Sequence, residues 1–117
     1  MVIVDNYVDG TLFTLLTTLN QTVAVKVLTF STPPDFALEA RKFIQQYDRT
    51  IDVKKDRTEF HDRFIILDGA RVFHLGHSIK DAGSKAMMIH ELEDQRNVLA
   101  VIQASQTAWN GADSVPL

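Results

Sequence analysis

The chain contains no cysteine, which excludes a disulfide framework, a thiolate metal site and a cysteine nucleophile, and which fits a reducing compartment. No apolar run approaches the length of about eighteen residues that a membrane span requires, and the N-terminus lacks the basic start and long apolar stretch of a signal peptide. A cytoplasmic location is the expectation. Five glycines and three prolines are too few for a collagen-like or low-complexity chain. The formal net charge of −3 argues against a broadly basic surface of the kind that coats nucleic acid indiscriminately. What is left is 117 residues, 45% hydrophobic and 23% charged: one folded domain with room for a real core, but not for two.

The charge is unevenly spread. Residues 54–85 hold seven of the twelve Lys and Arg (Lys54, Lys55, Arg57, Arg63, Arg71, Lys80 and Lys85) against five acids, so a local anion site is allowed although the chain as a whole is acidic. Lys54, Lys55 and Arg57 read equally well as a solvated strand end.

Val2-Ile3-Val4 is a short β-branched run, and Leu12, Leu15, Leu16 and Leu19 then recur at helical spacing behind a candidate cap at Asp9. Val23 to Phe30 reads as a second strand. Pro33-Pro34-Asp35 opens a helix whose apolar stripe is Phe36, Ala40, Phe43, Ile44 and Tyr47. Apolar strands alternating with amphipathic helices imply a parallel sheet covered by helices. Ile51 to Lys55, Phe64 to Leu67, Val72 to Leu75 and Ala86 to Leu92 then follow as strands with no helix between them, so the later part of the sheet is antiparallel. Asp94 caps a last helix carrying Val98, Leu99, Ile102 and Trp109, and no internal repeat is present. The expected fold class is α/β, a mixed sheet of about six strands (βαβα, then antiparallel strands) flanked by helices. Residues 1–110 form the single domain and 111–117 a polar, frayed C-terminal tail.

Chemistry concentrates in Phe60-His61-Asp62-Arg63-Phe64-Ile65-Ile66-Leu67-Asp68-Gly69 and in Leu75-Gly76-His77-Ser78-Ile79-Lys80-Asp81. Asp-Gly between two apolar runs signals a hairpin. A two-residue loop pairs Leu67 with Ala70, Ile65 with Val72, Arg63 with His74 and His61 with Gly76. His61, Arg63, His74 and Ser78 then share one face: an imidazole able to act as nucleophile or acid, a guanidinium fork suited to phosphate and a hydroxyl donor, with Gly76 leaving room for a substrate. A three-residue loop would flip one strand and break this constellation. The plainer reading makes Asp68 a turn former, Gly76 a bulge, and His61 and Arg63 exposed residues at a strand entrance.

Taken together, His61-Asp62-Arg63-Phe64-Ile65-Ile66-Leu67-Asp68 and Gly76-His77-Ser78 resemble the phospholipase D superfamily, whose motif is H-x-K-x4-D followed by a Gly-Ser or Gly-x-Ser element. With the βαβα run upstream, the resemblance spans residues 1–110. It implies a phospholipase D-like fold and metal-independent cleavage of phosphodiesters, in which one motif histidine attacks phosphorus to give a phosphohistidine and a second protonates the leaving oxygen. The chain carries one motif, so the resemblance also implies a homodimer paired about a two-fold axis through the site. His61 would be nucleophile or acid and Asp68 a support to the geometry, with Arg63 standing where the family has lysine. Ser78, Gly76, His74 and Lys80 would bind substrate. Glu91 is the candidate for the later glutamate that orients the histidine in many superfamily nucleases.

No cofactor is implied. A metal held by His61, Asp68, His74 and His77 is disfavoured, because His74 and His77 lie across a strand and a loop and a bound cation would repel Arg63. Asp5 and Tyr7 end the first strand where ligands gather on parallel sheets, yet read as structural. The functional expectation is a nuclease acting on nucleic acid held by Lys54, Lys55, Arg57 and Lys80. The alternative is a non-catalytic module that binds phosphate groups of nucleic acid or of a phosphoinositide membrane, or that mediates dimerisation. The latter resembles a phospholipase D-like domain of some membrane-trafficking proteins with a similar His-Asp-Arg sequence. Since the chain begins directly on a strand, a module excised from a longer protein is a third expectation.

Overall fold

A computed structural model describes residues 1–57, 62–81 and 88–117. The elements are β1 (Val2–Val4), α1 (Thr11–Leu16), β2 (Val25–Thr29), α2 (Phe36–Tyr47), β3 (Ile51–Lys55), β4 (Arg63–Leu67), β5 (Arg71–Leu75), β6 (Ile89–Glu91), α3 (Gln95–Gly111) and β7 (Asp113–Ser114), with a 3-10 turn at Ile79–Asp81. They build a seven-stranded sheet in the order β6-β5-β4-β1-β2-β3-β7. β1, β2 and β3 run parallel, and the remaining neighbours pair antiparallel. The mixed α/β sheet expected from the sequence is thus the fold. Among the described residues, no helix is long and apolar enough to cross a membrane.

Alternation along the strands divides the core in two. Ile3, Val25, Val27, Ile51 and Val53 pack against Leu12, Phe13 and Leu16 of α1 and Phe36, Ala40 and Phe43 of α2. Phe13 is central there, its ring 5.1 Å from that of Phe36 and 5.4 Å from that of Phe43. Each such buried side chain contributes on the order of 2–3 kcal/mol of transfer free energy. The opposite face is thinner: Ile66 and Val72, joined by Val2, Phe64 and Leu92, pack against Val98, Val101 and Ile102 of α3.

Local chemistry sets the helix ends. Asp9 Oδ1 accepts from Thr11 N at 2.9 Å and from Thr11 Oγ1 at 2.6 Å at the start of α1, and Asp94 Oδ1 accepts from Arg96 N at 2.9 Å at the start of α3. Asp48, in left-handed backbone at φ 51°, ends α2.

Two expectations need correction. Residues 113–117 are not frayed: Asp113 and Ser114 pair with Lys55 and Lys54, Val115 N donates to Val53 O at 2.9 Å, and Val115 and Leu117 pack on the larger core. The outer edge of β3 needed a partner and found it in this segment. The hairpin register also differs. Asp68 (φ 55°) and Gly69 (φ 63°) make the expected turn, with Ala70 N donating to Leu67 O at 3.0 Å, but Ala70 is an extra residue before β5. Arg63 therefore faces Leu75, Phe64 faces His74 and Ile66 faces Val72. Packing decides this parity, because it places Val72 beside Ile66 in the core under α3.

Candidate functional site

With β1–β3 parallel and β4 antiparallel to β1, the carboxyl ends of the first three strands, the start of β4 and the segment after β5 all meet at one end of the sheet. The β1–β4 register, continued by one residue, brings Asp5 opposite Arg63 on the face shared with Ile3 and Ile65. Asp5 is fully buried. Its carboxylate accepts from Ser78 Oγ (2.8 Å to Oδ1, 3.0 Å to Oδ2), from Tyr7 N at 3.1 Å and from Ile79 N. Every group facing it is a donor, the complement of an ionised, acceptor-only carboxylate.

Arg63 Nε lies 3.8 Å from Asp5 Oδ1, close enough for an ion pair but too far for a hydrogen bond. The side chain is 30% exposed, and its terminal nitrogens have no protein partner among the described residues. A guanidinium held from behind by a buried anion, with its forked end unclaimed, is suited to grip an oxyanion. At the same end of the sheet opens a cleft of about 260 Å³ lined by Tyr7, Val8, Asp9, Ser31, Thr32, Pro33 and Lys80. The Lys80 ammonium lies over the Tyr7 ring, 5.7 Å from its centroid.

The other expected residues are dispersed. His61 lies outside the described residues. His74, turned by the extra Ala70, is on the α3 face, where Nε2 is 3.2 Å from Asp62 Oδ1 and the ring stands 5.5 Å from Phe64. It is therefore not beside Arg63. Asp68 sits in the turn at the opposite end of β4, about 17 Å along the strand from Arg63 at the ordinary rise, and cannot touch the cleft. Ser78 is at the cluster but only 3% exposed, and its hydroxyl is turned to the Asp5 carboxylate and to Tyr7 O at 3.1 Å, so it serves the internal network instead of facing a substrate. A Cβ on Gly76 would meet Met88 O at 3.4 Å, so that glycine fits against the start of β6, not against a substrate.

Glu91 is also remote from Arg63. It accepts from Arg71 Nε at 2.9 Å and from Nη2 at 3.0 Å, and this guanidinium holds its carboxyl below the usual carboxylate range. Of the expected basic clamp, Lys54 donates to Trp109 O at 3.1 Å and Arg57 pairs with Asp113 at 3.2 Å, while Lys55 is exposed. Lys80 alone of the four lines the cleft. The residue that sequence reasoning underrated is Asp5. Its signal was position, an acid at the carboxyl end of the first parallel strand, while its donors lie 73 and 74 residues away.

No protein-family profile and no curated protein matches the chain. Solved structures do match, and two of them are informative. The phospholipase D family member Nuc from Salmonella typhimurium superposes with a TM-score of 0.67 at 17% identity, over 100% of this chain and 83% of that one. TrmBL2, an archaeal chromatin protein whose structure shows a novel mode of DNA binding, superposes with a TM-score of 0.57 at 16% identity, over 97% of this chain and 45% of that one. At these identities the likeness is one of fold, and the fold of the chain is phospholipase D-like.

Proposed function

We propose that the chain is a metal-independent phosphodiesterase of the phospholipase D type, acting on nucleic acid as a homodimer. A His61 ring nitrogen attacks phosphorus, forming a P–N bond as the P–O bond to the leaving group breaks. The partner subunit's His61 gives its proton to the departing oxygen, and water then hydrolyses the phosphohistidine. Arg63 holds the non-bridging oxygens, and Lys80 extends positive charge along the strand. The observation that carries this reading is the Arg63 guanidinium, backed by buried Asp5 and with its fork unclaimed among the described residues, at the carboxyl end of the parallel strands of a phospholipase D-like sheet. The DNA binding named for TrmBL2 supports nucleic acid as the ligand.

The test is cleavage of plasmid DNA and of bis(p-nitrophenyl) phosphate, with and without chelator, alongside light scattering. Expected are a dimer, chelator-resistant cleavage, loss of cleavage to background in His61→Ala, and a fall of about 100-fold or more in Arg63→Ala. Undiminished cleavage by His61→Ala, or full activity in a strict monomer, overturns the catalytic reading. A second reading, phosphate binding without turnover, is favoured by the arginine at position 63, whose planar fork places oxygens differently from an ammonium. It predicts Arg63-dependent, salt-sensitive DNA binding with no cleavage.

A further inference from the structure

We infer that Asp5 sets the charge preference of the cleft: its buried carboxylate offsets the Arg63 guanidinium, so that the pair accepts a phosphodiester monoanion and disfavours a phosphomonoester or phosphate dianion. The inference rests on the reading of Arg63 as the phosphate ligand, and it adds a specificity-determining residue to that reading.

Burying an anion at this point is costly, and the donors around Asp5 show how the fold offsets that cost. Ser78 Oγ, Ile79 N and Tyr7 N all point at the carboxylate and fix it in place. None of the three cancels its charge. Among the described residues, the cation paired with it is Arg63, at ion-pair distance through Nε. The partly exposed guanidinium therefore carries a fork of donors with its net charge already countered. Hydrogen-bond geometry is kept while long-range attraction for a second negative charge is removed. A lysine or an unpaired arginine would instead reward every additional charge on the ligand. Lys80 contributes the same field to either kind of ligand and is untouched by changes at Asp5.

The magnitude is measurable. At the effective dielectric of a partly buried site, one unit charge acting across a guanidinium on one further unit of ligand charge changes affinity by about tenfold or more. The experiment is NMR titration of the purified protein at pH 8 and low salt with dimethyl phosphate, a monoanion, and with methyl phosphate, largely a dianion. In the parent protein the dianion is expected to bind no more tightly than the monoanion. In Asp5→Asn the ratio should move about tenfold or more in favour of the dianion. Ser78→Ala loosens the anchor without changing charge, so it should weaken folding but leave the ratio where it was.

A parent protein that prefers the dianion about tenfold overturns the inference, and this measurement stands even if Asp5→Asn fails to fold. So does an Asp5→Asn protein that binds both ligands with the parent ratio. Arg63→Ala separates the two levels. If binding depends on Arg63 but the ratio does not respond to Asp5, only the charge preference falls. If neither ligand binds, or if binding ignores Arg63, the underlying reading of the cleft falls with it.

Discussion

Arg49 donates through Nη1 to Asn20 O at 2.7 Å and through Nη2 to the carbonyls of Leu16 and Leu19, and its guanidinium lies 5.9 Å from the Phe43 ring centroid. It is 7% exposed. A cation thus adds a second donor to Leu16 O and Asn20 O, which already accept from Leu19 N and Val23 N, and gathers the carbonyls at the end of a short helix around one positive charge. Arg49→Met, which keeps much of the stem, should lower the unfolding free energy by about 3 kcal/mol in urea titrations, because three charge-assisted hydrogen bonds, one of them buried, are lost at once. Glu39 supplies a pH-dependent counterpart. Hydrogen bonding with the Asp35 side chain, together with the charges of Asp35 and Asp9, raises its carboxyl above the usual range. A raised carboxyl contributes stability that is complete below the unfolded value near 4.5 and is lost as pH rises through the higher folded value. Glu39→Gln should therefore give a small rise in Tm at pH 7 that disappears by pH 4. At this scale the sequence disclosed residue types but not which of them meet. Arg63 was read as a phosphate ligand from its neighbours in the chain, whereas Asp5 gains its meaning only from Ser78 and Ile79, which the fold brings from far away.

Among the elements, the turn at Asp68-Gly69 was readable from its residues, since both accept positive φ, but its loop parity was not. That depended on whether Val72 or its neighbour would reach the core under α3, a matter of tertiary packing. The strand β7 escaped notice because two polar residues carry no periodicity, and it forms only because β3 offers an open edge. Removing residues 113–117 should lower Tm and promote concentration-dependent aggregation, measured by scattering during a thermal ramp, since the edge of β3 and the core beneath Val115 and Leu117 would lie open. The helix α3 carries its own reporter. Trp109, the sole tryptophan, lies 4.8 Å from Lys54 Nζ and 5.3 Å from Lys26 Nζ, so its fluorescence reads the docking of the helix on β2 and β3. Because Val98 is the buried residue that α3 contributes to the smaller core, Val98→Ala should shift the fluorescence transition to lower denaturant by about 1–3 kcal/mol of stability.

For the molecule as a whole, the alternation of apolar strands and amphipathic helices was enough to give the βαβα start and the antiparallel remainder. It was also enough to place the carboxyl ends of the parallel strands, where the cleft lies, at one end of the sheet. What could not be read was which face each chemical group would occupy, because a single inserted residue reverses the faces of a strand. The order of assembly follows from the same architecture. Asp5 leaves the ribosome well before its partners, since the hydroxyl and amide that complete its surroundings are added 73 and 74 positions later. A nascent chain that has ordered only its early strands and helices thus has no finished anion grip, and competence arrives when the segment following β5 closes over the first strand.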